Sequence, residues 1–166
     1  MKEVMYNDYA KEVIEAFPKG VFLNVSDGTQ DNTMTIGWGT LGFMWGKPIL
    51  MVMVRYSRHT YKLIEASDCF TVSVPLKGQL KKELGYCGSK SGRDCDKWKD
   101  LNLTKIQAQK VNAPLVGECD LHYECKIISR QEVMSKMIMP DMVTTFYNHD
   151  DYHVLYYGEI VGTYLK

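Results

Sequence analysis

The sequence lacks the features of nucleic-acid binders, membrane proteins and exported proteins. Its 166 residues carry 20 basic and 20 acidic side chains, so the formal net charge is zero. Without a basic excess, the chain lacks the electrostatic surface of a general nucleic-acid binder. No apolar run approaches the roughly 20 residues that span a bilayer, and the N-terminus lacks the pattern of a signal peptide. We therefore expect a soluble, cytoplasmic protein with neither a nucleic-acid nor a membrane partner.

The motifs of common catalytic sites are also absent. The five cysteines include no Cys-x-x-Cys pair, and reduced thiols are expected without an export signal. Only Cys87 and Cys95, which flank a glycine-containing loop, are candidates for chemistry. No nucleophile elbow or Ser-His-Asp order is present, and Gly37-x-Gly39 lacks the rest of a dinucleotide fingerprint. These absences argue against a hydrolase and against a Rossmann dehydrogenase.

A metal site is not expected either. His149 and His153 are four residues apart, but they lie in a segment predicted to be a loop that enters a strand. An i, i+4 histidine pair holds a metal well only on a helix, and no third ligand is evident. The alternative for His153 is a place beside a bound cofactor.

Hydrophobic patterning predicts a mainly β fold. Residues 48–54 are continuously apolar, as in a strand buried on both faces, and residues 119–127 alternate with period two. Ser57 is the expected N-cap of a helix that ends near Ala66. Several short strands with few helices favour an antiparallel sheet that closes or nearly closes. No linker or repeat interrupts the chain, so residues 1–166 are expected to form one domain.

The other predicted helices span residues 9–17, 77–84 and 94–101, and the other predicted strands span residues 21–25, 32–36, 69–74 and 154–161.

A cluster of cationic and hydroxyl side chains follows the strand at residues 48–54. Arg55, Ser57, Arg58 and Thr60 stand within six positions, where a strand ends and a helix is predicted to begin. Arginines offer forked charge-assisted donors, and hydroxyl and free backbone N–H groups add to them, so this pattern favours a phosphate site. Upstream, residues 32–39 are predicted to form a strand that breaks into a glycine-rich loop, which suits the face of a flat ring. Together the two segments suggest a phosphorylated aromatic cofactor.

Three of these features also have a purely structural interpretation. Arg55 and Arg58 are alternatively solvated charges at a strand end. Trp38 is alternatively a packing residue of the core or of an interface rather than a stacking partner. The four methionines between residues 134 and 142 either fill an irregular part of the core or form a flexible lid over a flat ligand.

Four short motifs occur in an order that resembles the flavin reductase-like family, in particular its flavoredoxin branch. They are Asn32-x-Met34-Thr35-Ile36-x-Trp38, Arg55-x-Ser57-Arg58-x-Thr60, Ser91-Gly92-Arg93-Asp94-x-Asp96-Lys97 and Tyr157-Gly158-Glu159-Ile160. The resemblance implies a Greek-key split β-barrel of antiparallel strands with a few flanking helices. It also implies FMN as cofactor, and a homodimer with flavin sites at or near the subunit interface. Eleven tyrosines and three tryptophans likewise favour an interface.

The resemblance also assigns residues to the cofactor. It places Arg55, Ser57, Arg58 and Thr60 around the phosphate, and Lys97 and Ser91 beside the flavin, with Lys97 as a cationic partner. It also places the isoalloxazine and ribityl portions along residues 34–38. The full set of expected cofactor-binding residues is Asn32, Met34, Thr35, Ile36, Gly37, Trp38, Arg55, Ser57, Arg58, Thr60, Ser91 and Lys97.

The function implied is that of an FMN-dependent oxidoreductase that takes electrons from NADH, NADPH or a protein donor and passes them to flavin or another acceptor. The flavin performs the redox chemistry, so no catalytic side chain is assigned. The alternative is a flavoredoxin-like FMN electron-transfer protein without a substrate site of its own.

Overall fold

The structure is a computed structural model that describes residues 1–166. Its strands are β1 (Lys2–Glu3), β2 (Val21–Ser26), β3 (Asp31–Ile36), β4 (Gly39–Met44), β5 (Lys47–Arg55), β6 (Cys69–Val74), β7 (Lys105–Gln107), β8 (Pro114–Val116), β9 (Leu121–Glu132) and β10 (His153–Leu165). The helices are α1 (Ala10–Ala16), α2 (His59–Glu65), α3 (Lys81–Ser89), α4 (Lys97–Asp100) and α5 (Pro140–Phe146), with 3-10 turns at Phe17–Lys19 and Ser135–Met137. None of the helices has the length and apolar character needed to cross a membrane.

One antiparallel sheet organises the molecule. Its strands follow the order β3-β2-β6-β9-β10-β5-β4, with β1 paired to β10, while β7 and β8 form a separate pair. The long strands β9 and β10 pair along most of their length, with register shifts at Tyr157/Gly158 and Ile160/Gly162. Such irregularities bend a strand and increase its twist. The predicted mainly β, antiparallel split-barrel class with few helices is confirmed.

Two hydrophobic clusters pack on opposite sides of β2. The larger cluster joins α1, α2 and the inward side chains of the main sheet, with Leu23, Val52 and Tyr156 fully buried. The smaller cluster packs Phe22 of β2 against Leu84 of α3 and Trp98 of α4. This second cluster holds α3 and α4 against the sheet, and it brings the loop between them beside β3.

Several elements differ from their predicted form. The helix predicted at residues 94–101 is shorter, because α4 spans Lys97–Asp100 with Asp96 as its N-cap. The helix predicted at residues 77–84 begins instead at Lys81, because Gly78 and Leu80 adopt positive φ values of 70° and 64° in the preceding turn. In β5, Met51 and Met53 are only half-buried, so this strand is not covered equally on both faces. The continuous apolar sequence of this strand therefore did not predict that one face is only half-buried.

A buried polar network crosses β2, β6 and β9. The Asn24 side chain donates to Thr71 Oγ1 at 3.1 Å and to Ser73 Oγ at 3.2 Å. His122 Nδ1 lies 3.0 Å from the same Ser73 hydroxyl, and His122 is fully buried. Burial is the main cause that lowers the pKa of His122 to about 4, and the positive charge of Lys166 adds to it. The imidazole is therefore neutral in the folded protein at neutral pH.

His122 should make the fold sensitive to acid. The unfolded chain binds a proton at His122 below its ordinary pKa of about 6.5, whereas the folded chain does so only near pH 4. The free energy of unfolding is therefore at its full value above pH 6.5. It falls by about 3 kcal/mol in all as the pH drops towards 4. Urea unfolding at about pH 7.5 and pH 4 should show that the free energy of unfolding falls less in His122→Asn than in the parent. The control His149→Asn, at an exposed position, should keep the parental loss, and an equal loss in all three proteins would refute the assignment.

Candidate functional site

A cleft opens where β3 ends beside β5 and β10. Residues 34–38 form one wall, and Met53, Arg55, Arg58 and His153 complete the lining; we call this space the ring cleft. The backbone N–H groups of Gly37 and Trp38 lie beyond the end of β3 and make no hydrogen bond within the chain. The cleft thus combines apolar side chains with free donors at its edge, which suits a flat heteroaromatic ring with polar edges.

A second, strongly cationic pocket adjoins the ring cleft, and both are lined by Met34 and Arg58. We call it the basic pocket. Its cations are Arg58, Lys90, Arg93 and Lys97, and no aspartate or glutamate lines it. None of these four cations forms an ion pair. Positive charge therefore converges on this pocket without a protein counter-ion.

Lys97 is the buried member of this set, with only 4% of its surface exposed. Its Nζ donates to the carbonyl oxygens of Thr33 at 2.9 Å and Cys87 at 3.1 Å. Burial is the main cause that lowers the pKa of Lys97, and the charge of Arg58 acts in the same direction. Because buried charges are normally paired, an ammonium held only by two carbonyls points to an anion as its missing partner.

Several expected residues position the walls of the basic pocket. Asn32 Nδ2 donates to Thr60 Oγ1 at 2.7 Å, and both residues are buried and line the pocket. A Cβ atom at Gly92 would lie 2.3 Å from Asn32 Oδ1, so only glycine lets the loop with Ser91 and Arg93 approach β3 this closely. Arg93 in turn donates to the Ser57 carbonyl oxygen at 3.2 Å. Gly92 and Arg93 belonged to the third sequence motif, but their spacing alone did not mark them as site residues.

Arg55 lies in the ring cleft and does not line the basic pocket. Its guanidinium donates to the carbonyl oxygens of Asp151 at 2.5 Å and Phe146 at 2.9 Å, and its Cζ lies 5.1 Å from the centre of the Tyr147 ring. The structure thus places Arg55 as an anchor for residues 146–152, and the phosphate contact expected from the sequence stays a prediction.

Ser57 also contacts this segment. Its N–H and hydroxyl both bond to the Asp151 carboxylate, at 3.1 and 2.6 Å, although Ser57 lines the basic pocket as well. The N-cap position of α2 belongs to Arg58, without a side-chain capping bond. Arg58 instead donates to the Gly88 carbonyl oxygen at 3.1 Å, which ties it to α3.

Thr35 and Trp38 lie on the wall of the ring cleft in different environments. The Thr35 hydroxyl donates to the Leu84 carbonyl oxygen at 2.6 Å and so fixes the end of β3 against α3. Trp38 is 41% exposed, and its ring centre lies 5.1 Å from those of both Phe146 and His153. Trp38 is therefore a surface residue of the cleft and not a core residue.

A neutral histidine–tyrosine pair borders the ring cleft. His153 is 7% exposed, and its Nδ1 lies 2.8 Å from the Tyr147 hydroxyl. Burial lowers the pKa of His153 to about 4, and burial raises the pKa of Tyr147. Both groups are therefore uncharged, and the imidazole tautomer decides whether the phenol donates to Nδ1 or Nδ1–H donates to the phenol oxygen. No spacing rule identifies this pair, because a turn in the chain separates its members.

The remaining candidates have structural roles. Burial raises the pKa of Cys87 to about 11, so this thiol stays protonated, and Cys95 donates to the Ser91 carbonyl oxygen at 3.1 Å. No group of three or more His, Cys, Asp or Glu side chains lies close enough to hold a metal ion. Glu159 of the fourth motif forms an ion pair with Lys47 at 2.6 Å, away from both pockets.

Comparison with known proteins identifies a family and individual relatives. The family model described as "Flavin reductase like domain" matches residues 14–166. An uncharacterised protein of Archaeoglobus fulgidus is 31% identical over 116 residues, which make up 70% of this chain and 64% of that protein. The chain thus spans less than two thirds of the length of this curated relative.

The fold is shared with solved flavoproteins. The flavoredoxin of Desulfovibrio vulgaris superposes with a TM-score of 0.69 at 24% identity, over 89% of this chain and 69% of that chain. An NADH:FAD oxidoreductase of Streptomyces globisporus superposes with a TM-score of 0.69 at 21% identity, over 100% of this chain and 88% of that chain. At these identities the two matches show the fold alone. Together with the family model they confirm the resemblance drawn from the four motifs.

The anchoring role of Arg55 can be tested by hydrogen exchange. Arg55→Ala removes two hydrogen bonds and a cation–π contact, together worth about 2–3 kcal/mol. Amides in residues 146–152 should therefore exchange roughly 30-fold faster or more. Arg58→Ala, which contacts α3 instead, should leave them unchanged. Parental protection in Arg55→Ala would contradict the anchor.

Proposed function

We propose that this chain, which belongs to the flavin reductase like domain family, is an oxidoreductase that holds FMN across the ring cleft and the basic pocket. The two spaces adjoin at Met34 and Arg58, so one ligand with a flat ring and a terminal anion occupies both. The donor set fits FMN in particular, because the cleft has apolar walls with free backbone donors and the basic pocket has cations without counter-ions. When bound, the flavin supplies the hydride or single-electron chemistry.

The burial of Lys97 carries this proposal. Water and salt readily screen the charges of a surface cluster of cations, whereas Lys97 is almost fully enclosed and has only carbonyl partners. His59 supports the same conclusion, because its Nδ1 is buried without a partner and it lines the basic pocket. A phosphate supplies both the charge that Lys97 lacks and oxygen acceptors for the surrounding donors.

The side chains divide the binding of FMN between them. Lys97, Arg58 and Arg93 bind the phosphate, with Ser91 in the loop that closes over it. Met34 and Ile36 pack against the ring, while the N–H groups of Gly37 and Trp38 donate to its polar edge. Asn32 and Thr60 hold β3 against α2, and Arg55 keeps residues 146–152 in place above the cleft.

The affinity for FMN should depend on Lys97 through the phosphate. Each charge-assisted hydrogen bond contributes about 1.5–3 kcal/mol, so FMN should bind at least tenfold more tightly than riboflavin. Lys97→Met should weaken FMN binding at least tenfold and leave riboflavin binding nearly unchanged. The matched control Lys99→Met, two residues along α4 and exposed, should bind both flavins as the parent does. Fluorescence titration measures all six affinities, and equal parental affinities for FMN and riboflavin would disprove the phosphate site.

The electron donor separates the enzyme from the electron-carrier alternative. An oxidoreductase of this type takes a hydride from NADH or NADPH, so either nucleotide should bleach the flavin absorbance of the FMN-loaded protein within seconds under anaerobic conditions. A flavoredoxin-like carrier should instead be reduced only by a protein or chemical donor. Absence of bleaching by both nucleotides, with FMN bound, would therefore favour the carrier.

The homodimer remains a prediction. Phe43 of β4 and Trp45 in the turn after it are 63% and 62% exposed and are suited to an interface. Light scattering should give twice the subunit mass at micromolar concentration, and a monomeric mass would contradict the dimer.

A further inference from the structure

A second cavity lies next to the ring cleft, beneath the methionine-rich segment. Its floor is the outward face of β5 and β10, and its roof is the chain from Val133 to Tyr147, which includes α5. The cavity has a volume of about 490 Å³, within the roughly 300–1,000 Å³ typical of small-molecule sites. We call it the apolar chamber.

The lining of the chamber is entirely apolar or aromatic. It includes Trp38, Met53, Val133, Met142, Phe146 and Leu155, and no charged side chain. Burying an unpaired charge against such a surface is costly. The chamber therefore disfavours a charged group placed against this lining, and it favours an uncharged occupant.

The chamber is continuous with the ring cleft. Trp38 and Met53 line both spaces, so a molecule in the chamber lies against whatever the cleft holds. Tyr147 also lines the chamber, and its hydroxyl bonds to His153 of the cleft at 2.8 Å. This Tyr147–His153 pair is uncharged, which suits a neutral hydroxyl or carbonyl group, and the charged Arg55 and Arg58 line the ring cleft and not the chamber.

The roof is attached but adaptable. Arg55 holds its end through the Phe146 carbonyl oxygen and the segment after it through the Asp151 carbonyl oxygen, whereas Met142 of α5 is 47% exposed. Met137 and Met139 are 74% and 70% exposed and do not line the chamber. The methionines thus do not fill the core, and the flexible Met142 side chain adjusts to ligands of different shape.

We propose that the apolar chamber binds a small uncharged aromatic molecule, and that it is the site where the oxidoreductase takes its electron acceptor. The second part rests on the proposed function, because it requires a flavin in the ring cleft. The first part is a property of this chain alone and applies to the protein without cofactor.

Calorimetric titration of the cofactor-free protein tests the chamber directly. The probes are 2-naphthol, which is neutral, and 2-naphthoate, which has the same ring system and a carboxylate. We expect 2-naphthol to bind with a submillimolar dissociation constant and 2-naphthoate to bind at least tenfold more weakly. Equal binding of the two probes, or no binding of 2-naphthol, would overturn the proposal.

Two variants and a control locate the binding. Met142→Trp fills the chamber from the roof and Val133→Trp fills it from the end of β9, so each should weaken 2-naphthol binding at least tenfold. Met139→Trp introduces the same side chain at an exposed position of the same segment and should bind 2-naphthol as the parent does. If Met139→Trp has the same effect as Met142→Trp, the probe binds elsewhere. If 2-naphthol does not bind and Met142→Trp dissociates a dimer in light scattering, the chamber is instead covered by a second copy of the chain.

Titration of FMN into the same proteins separates the two proposals. Normal FMN binding without 2-naphthol binding refutes the chamber and leaves the proposed function intact. Absence of FMN binding with normal 2-naphthol binding refutes the proposed function and the acceptor role, while the chamber remains a binding site.

Discussion

The enclosure of the Lys97 ammonium without a carboxylate is the constraint from which the properties of the site follow. Phe22, Leu84 and Trp98 pack α3 and α4 onto the outer side of β2, and this packing places Lys97 inside the protein. Two carbonyl oxygens orient the ammonium, but neither neutralises it. Since an unpaired buried charge costs several kcal/mol, the apoprotein retains unfavourable energy at this position. An anion that binds there removes this unfavourable energy, so part of the folding free energy contributes to ligand affinity.

The surrounding residues separate the site into spaces with different chemistry. The basic pocket gathers cations that have no protein counter-ion, while Asp151 is held by Ser57 at its border. The ring cleft and the apolar chamber share Trp38 and Met53 and contain little charge apart from the two arginines of the cleft. Arg55 links these regions mechanically, because it holds residues 146–152 over the cleft. A phosphate, a flat ring and a neutral aromatic partner would each lie in an environment that suits its polarity.

The sequence predicted the parts of the site that depend on local pattern. The strand at Asn32–Ile36, the glycine-rich turn after it and the cationic cluster around Arg58 are short segments that line the pockets directly, so their composition alone marked them as candidates. Arg55 shows the limit of this reasoning, because its partners at Phe146 and Asp151 are about ninety residues away. The pair of His153 and Tyr147 and the burial of Lys97 depend in the same way on tertiary packing. The helix predicted at residues 77–84 starts late because Gly78 and Leu80 adopt positive φ values, and propensity alone does not reveal this for Leu80.

A crystal structure of the protein with FMN tests the central claim most directly. The account predicts that a phosphate oxygen lies about 3 Å from Lys97 Nζ, with Arg58 and Arg93 also within hydrogen-bonding reach and the isoalloxazine along residues 34–38. The bonds of Lys97 to Thr33 and Cys87 should persist, since the ammonium has three donors. A phosphate bound outside the basic pocket, with Lys97 still bonded only to its two carbonyls, would contradict the account.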